Sequence, residues 1–206
     1  MSNRVLGRAA LACAMIGMLA ASEAIAASAP PVHVRGTVEA LQGQKLTVRT
    51  RDGATTAIAL APDYAVTGVV KARLSDIAVG KFVGIAAMPA GSGPLKAVEV
   101  VVFPEAARGA GEGHYAWDLE PGSTMTNATV AAEVDRVDGP TLTLKHKGGE
   151  NSITVPKDVP VVTFGPGSRS LLVPGAHVFV SATKQLGGSL TARRILVGKD
   201  GVTPPM

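Results

Sequence analysis

The sequence predicts an all-β protein made of two tandem small β-barrel-like modules joined by a long ordered linker. Three observations indicate this fold: an internal repeat, apolar residues that alternate with polar ones, and glycine-containing turns at regular intervals. In the first candidate strand, for example, Val34 and Val38 alternate with Arg35 and Thr37. This two-residue period is typical of a strand with one buried face.

The repeat relates residues 34–50 to residues 130–146. We match Val38 with Val134 at the start of the repeat. Further matches are Leu46 with Leu142, Gly80 with Gly175 and Ile85 with Val180. A single one-residue deletion near residue 150 is enough to align the remaining residues of the two stretches, so we interpret the pattern as a duplication.

Each repeat is expected to fold into its own barrel. The predicted modules are residues 32–103 and residues 128–198, followed by a tail at residues 199–206. The last strand of each module changes its alternation phase, near residues 97–100 and residues 192–195. Such a change indicates a β-bulge, which helps a short sheet to curl. Modules of roughly 70 residues are marginally stable alone, so we expect the two to pack together.

The first 26 residues have the features of a secretory signal peptide. Two arginines precede an uncharged apolar run, and Ala24-Ile25-Ala26 offers a cleavage site. The run is shorter than the roughly 20 residues that span a membrane. Cys13, the only cysteine, would leave with the signal. We therefore predict a periplasmic protein cleaved after Ala26, with no membrane span in the mature chain; a retained N-terminal anchor is the alternative.

Charge and composition argue against several classes of function. The net charge of +4 is too small to indicate nucleic-acid binding, and aromatic residues make up only 3% of the chain. Single-strand binding proteins need more stacking platforms than these rings supply. The motifs of serine hydrolases, zinc proteases, P-loop proteins and dinucleotide-binding enzymes are absent. We predict that the protein is not an enzyme and needs no cofactor.

The linker, residues 104–127, is the candidate binding region because it occurs once and lies between the repeats. It contains the only Trp and one of the two Tyr residues. Aromatic side chains dominate recognition surfaces because they bury a large area. We predict a binding surface in a groove between the modules, formed by His114, Tyr115, Trp117 and Asp118. The alternative is a linker that only holds the modules together.

A metal site is a second interpretation of the same segment. His114, Asp118 and Met125 would offer imidazole, carboxylate and thioether ligands to copper or zinc. No spacing signature supports this set. The other histidines are His33, His146 and His177, which we expect at surface or rim positions.

The turn motifs resemble those of the domain-of-unknown-function family 5666, which consists of small exported β modules. The motifs are Leu41-Gln42-Gly43, residues 74–80 (LSDIAVG) and Leu95-Lys96-Ala97; the second repeat lacks the aspartate at Ser170-Leu171-Leu172. Nearly everything after residue 31 is similar to two-copy members that often carry a metal ABC transporter permease label. The resemblance implies an exported β fold and no chemistry. The label itself conflicts with the lack of a membrane-spanning bundle.

Together these features predict a non-enzymatic periplasmic binding or assembly module. Its partner would be an unidentified periplasmic protein or small ligand rather than a nucleic acid. The alternatives are a periplasmic copper- or zinc-binding accessory protein of a transport system, and an uncharacterised hydrolase.

Overall fold

The computed structural model describes residues 30–204, so the predicted signal peptide and Cys13 lie outside the described residues. The described part is all-β, with three short 3-10 turns. Its strands are β1 (Val32–Gln42), β2 (Lys45–Thr50), β3 (Thr55–Lys71), β4 (Phe82–Met88), β5 (Leu95–Val102), β6 (Gly113–Ala116), β7 (Thr124–Val134), β8 (Thr141–His146), β9 (Gly149–Thr154), β10 (Val161–Gly165), β11 (His177–Lys184) and β12 (Leu190–Gly198). None of its helical turns is long and apolar enough to cross a membrane.

Five strands form a closed barrel in the order β1, β2, β3, β12, β11. β12 closes the barrel by running parallel to β3, from Leu190 opposite Ile58 to Gly198 opposite Val69. Inward-facing aliphatic side chains fill the interior, and Leu46 and Ile195 are fully buried there. The alternation of apolar and polar residues thus becomes the inside and outside of the barrel.

A second ring runs through β4, β5, β9, β8 and β7 and has an aliphatic core of its own. Its closure is short, because β5 meets β9 only at Leu95 opposite Ile153 and at Lys96 opposite Thr154. β10 continues the contact with β5 and also pairs with β3. It therefore joins the barrel and the second ring into one sheet.

The expectation that each repeat closes its own barrel is wrong. The barrel takes β1, β2 and β3 from residues 32–103, but β11 and β12 from residues 128–198. The second ring takes β4 and β5 from the first stretch and β8 and β9 from the second, while β7 begins in the predicted linker and continues into the second stretch. The physical reason lies in β3, which at 17 residues runs past the barrel and delivers the next strands to the neighbouring ring.

The predicted bulges are confirmed. The β4–β5 ladder shifts register where Ala86 faces Glu99 and Ala87 faces Ala97. The β11–β12 ladder shifts between Val180 opposite Ile195 and Ala182 opposite Ala192. Both shifts fall where the sequence changes its alternation phase.

One residue match of the predicted repeat, Val38 with Val134, is wrong. Val38 is buried, whereas Val134 is 56% exposed. The structural counterpart of Val38 is Val130, because Val130 faces Leu144 as Val38 faces Val48, and a register shift follows each pair. The sequence alignment failed here because the β7–β8 turn is longer than the β1–β2 turn.

Residues 104–127 contain more regular structure than a linker was expected to have. They include a 3-10 turn at Glu105–Ala107, the strand β6 and the first residues of β7. The expected boundary at residue 128 therefore falls inside a strand. Gly109 and Gly111 have positive φ angles, which lets the chain reverse before β6 without side-chain strain.

Candidate functional site

The segment before β7 is fixed to the second ring by two polar side chains. Asn127 donates from Nδ2 to the carbonyl oxygens of Ala110 and Gly111, each at 3.2 Å, and to the Tyr115 hydroxyl at 3.1 Å. Arg108 donates to the Gly80 carbonyl at 2.8 Å and pairs with Glu105. These bonds hold the segment in one conformation on the rim of the ring.

β6 carries two of the predicted site residues, on opposite faces of the strand. His114 lies opposite Thr126, and its Nδ1 is 2.8 Å from the Thr126 hydroxyl. Burial and the neighbouring His146 lower the pKa of His114. Tyr115 remains 38% exposed, and burial of part of its ring raises the pKa of the phenol.

The other two predicted residues contact the barrel instead. The Trp117 ring lies 4.5 Å from the ring of His33, centroid to centroid. The Asp118 carboxylate accepts a hydrogen bond from Arg35 Nη2 at 2.7 Å and lies 2.9 Å from His33 Nδ1. The Phe179 ring also packs against His33, with the two ring centroids 5.2 Å apart. We call His33, Arg35, Trp117, Asp118 and Phe179 the joint.

The joint is half buried and strongly polar. The side chains of His33 and Arg35 are 11% and 10% exposed, whereas Asp118 is 52% exposed. Partial burial opposes ionisation of Asp118, but hydrogen bonds from Arg35 and His33 outweigh it and hold the pKa of the carboxyl below its usual value. Trp117 Nε1 is buried without a hydrogen-bond partner among the described residues. Ring packing and the ion pair therefore hold the joint together.

The structure thus divides the predicted site. Trp117 and Asp118 attach the segment to β1 of the barrel, which corresponds to the alternative of a linker that holds two parts of the protein together. His114 and Tyr115 lie on β6. Sequence reasoning missed the role of His33, which was expected at a surface or rim position, because nothing local in β1 signals a contact with a residue so distant in the chain.

The three candidate metal ligands have different neighbours. His114 contacts Thr126, and Asp118 contacts Arg35 and His33. Met125 is 2% exposed and lies within the β4–β7 ladder. Within residues 30–204 there is no group of three or more His, Cys, Asp or Glu side chains that could hold a metal ion. The arrangement gives no support to the copper or zinc interpretation.

β6 has a strand neighbour on one side only, whereas the other described strands have two or more. Trp117 donates its backbone N–H to Ser123, across the β6–β7 ladder. Backbone groups alternate along an antiparallel strand, so Tyr115 also turns toward β7. His114 and Ala116 consequently turn their N–H and C=O groups to the outer edge of β6. This outer edge is the candidate functional site.

Comparison with known proteins identifies no relative for this arrangement. No protein-family model, no curated protein and no solved structure matches the chain.

Proposed function

We propose that this chain is an exported, non-enzymatic binding or assembly module, and that it binds an extended segment of a partner polypeptide along the outer edge of β6. The observation that supports this proposal is the one-sided pairing of β6 in a sheet whose other described strands are paired on both sides. An exposed strand edge offers free N–H and C=O groups to another strand. In such strand addition, main-chain hydrogen bonds supply affinity and alternate side chains supply specificity.

The side chains around the edge suit this role. Tyr115 presents an exposed aromatic ring on one face of β6, and His114 lies on the other face. A bound strand would therefore meet an aromatic contact on one side and a polar one on the other. Aromatic residues at such positions contribute strongly to recognition.

Pre-organisation also supports the proposal. Asn127 fixes the chain before β6, and Asp118 in the joint fixes the chain after it. A strand edge that is already ordered loses little conformational entropy when a partner binds. At four residues β6 is also too short to act as a strong template for aggregation.

The origin and location of the protein form part of the same proposal. The closing registers of the two rings correspond, since Leu190 faces Ile58 as Leu95 faces Ile153. This correspondence supports a duplication followed by exchange of halves between the copies. The signal-peptide features of residues 1–26 and the turn motifs of family 5666 support export to the periplasm.

The test uses Ala116, whose N–H faces the outer edge. Random 12-residue peptides displayed on phage would be selected against the mature protein, and the binders measured against Ala116→Pro and Ala116→Ser. Proline removes the N–H, so we expect binding to weaken about tenfold or more, whereas serine keeps the N–H and the affinity. Both variants must retain the wild-type circular dichroism and melting temperature. Peptides that bind Ala116→Pro as tightly as wild type would contradict the proposal.

A further inference from the structure

The bulge in β12 places two consecutive arginines on the outside of the barrel. Ala182 faces Ala192 and Val180 faces Ile195, so Arg193 and Arg194 together oppose a single residue of β11. In an unbroken strand one of two neighbouring side chains would point inward. Both arginines are instead exposed, because the extra residue of a bulge changes the direction of the side chains around it.

β3, the other neighbour of β12, bends away from it beside the two arginines. Ala192 faces Leu60 and Arg194 faces Ala65, so residues 61–64 of β3 leave the ladder. Arg169 holds this excursion: its Nη2 donates to the Pro62 carbonyl at 2.9 Å, and its guanidinium lies 4.2 Å from the centre of the Tyr64 ring. The result is a preformed cleft of about 610 Å³ between β3, β11 and β12.

The polar side chains that line this cleft can form hydrogen bonds, and none of them is a carboxylate. They are Ser181, Thr183, Gln185, Thr191, Arg193 and Arg194. Arg193 is paired with Asp63 at 2.6 Å, outside the lining. The backbone of Arg194 pairs with β3 at Ala65, but its guanidinium makes no hydrogen bond or ion pair with any residue of the described part of the chain. The Arg194 guanidinium is therefore available to a ligand, beside the hydroxyl groups of Ser181 and Thr183. The Gln185 amide already donates to the Thr191 hydroxyl at 2.8 Å.

The second ring shows that the bulge does not require arginines. At the corresponding register shift of β5, the residues are Val98 and Glu99. The fold is kept there with an apolar residue and an acid. The arginine pair is thus a property of the barrel alone, and packing does not explain it.

We infer that this cleft binds a small hydroxylated ligand that carries an oxyanion, a sugar acid or a sugar phosphate. The volume lies within the range of about 300–1,000 Å³ that small-molecule sites occupy. A guanidinium binds carboxylate and phosphate through paired N–H donors. The neighbouring Ser, Thr and Gln side chains both donate and accept, as the hydroxyl groups of a sugar require. This cleft is separate from β6, so neither site depends on the other.

The experiment is a calorimetric titration of the mature protein with glucuronate, glucose 6-phosphate and glucose. We expect saturable binding of at least one of the two acids, and the better acid distinguishes a carboxylate from a phosphate ligand. Glucose should bind about tenfold more weakly than that acid, since it lacks the oxyanion. Arg194→Gln should weaken binding of the acid about tenfold. Lys96→Gln, on the strand of the second ring that corresponds to β12, should leave it unchanged.

Asp63→Asn offers a change in the opposite direction. It releases Arg193 from its ion pair, so binding of the acid should become tighter. No saturable binding of either acid at about 10 mM, equal binding of glucose, or unchanged binding in Arg194→Gln would overturn the inference. If Arg194→Gln fails to fold, amide chemical shifts of wild type decide: acid-induced shifts confined to the cleft support the site, and shifts elsewhere overturn it.

Discussion

The barrel and the second ring use the same strand plan but close in different ways. β12 runs beside β3 from Leu190 to Gly198, interrupted only by the excursion of β3. β5 pairs with β9 at only two residues and then with β10. Between β9 and β10 the chain leaves the ladder, in a segment that contains Pro156 and Pro160. Proline lacks the N–H that a ladder needs, so the strand is divided there. The same strand order can therefore be closed by a continuous ladder or by a divided one.

The two rings also differ in what is added to them. The barrel carries the arginine pair at its bulge, whereas the second ring carries β6 on the edge of β7. Both additions lie where the shared ladder is irregular or incomplete. The candidate sites therefore lie where the two rings differ, whereas the residues common to both serve packing.

The largest expected effect tests whether each ring needs strands from both halves of the chain. Residues 27–103 expressed alone should fail to fold, because they hold three strands of the barrel and two of the second ring, and they close neither. Residues 104–206 should fail for the same reason, whereas the two fragments mixed should recover strand structure. Circular dichroism and urea titration measure this. A cooperative unfolding transition of residues 27–103 alone would show that this half folds without strands from the other.

Two matched core substitutions compare the rings directly. Ile58 in the barrel and Ile153 in the second ring are both fully buried. Each Ile→Ala change should lower the free energy of unfolding by about 3 kcal/mol, through lost burial and the cavity that remains. Because β3 and β10 connect the rings, both variants should shift one common transition in urea. Two separate transitions, each moved by only one variant, would mean that the rings are independent domains.

A smaller effect is expected at the joint. Asp118→Asn replaces the charged carboxylate that accepts a hydrogen bond from the largely buried Arg35 and should cost about 1 kcal/mol, a value kept low because Asp118 is half exposed. Asp63→Asn breaks an exposed pair of the same type and should change stability by less than about 0.5 kcal/mol. Equal costs for the two variants would show that the joint adds nothing beyond a surface ion pair.

The effect of Asp118→Asn on stability should depend on pH. The pKa of Asp118 is lower in the folded protein than in the unfolded chain, so its contribution is present above the unfolded value of about 3.9 and is lost as pH falls through the folded pKa. The difference between wild type and Asp118→Asn should therefore shrink on acidification below about pH 4. A difference that persists at low pH would point to packing instead of charge.

The smallest effect concerns His114. Its pKa is lowered on folding, so the unfolded chain takes up a proton first and stability falls as pH drops below the unfolded value of about 6.5. His114→Gln should flatten this part of the stability profile between about pH 7 and pH 5. His177→Gln in the barrel is the control for removal of a histidine. An unchanged slope in His114→Gln would place the acid sensitivity elsewhere.

The sequence predicted inward-facing positions well, because the alternation of residues such as Leu46 and Leu142 reflects burial directly. It also located both bulges, since an extra residue changes the phase of that alternation. It did not predict which strands pair, because the pattern along β3 says nothing about its neighbours. The contact between His33 and Asp118 was missed for the same reason: it depends on how distant segments meet.

The most direct test of the proposed function is amide hydrogen exchange along β6. Two-dimensional NMR of the free protein should show rapid exchange at His114 and Ala116, whose N–H groups face the outer edge, and slow exchange at Tyr115 and Trp117, whose N–H groups face β7. A bound peptide should then slow exchange at His114 and Ala116. Slow exchange of all four amides in the free protein would show that the outer edge is already covered and that β6 is not a binding edge.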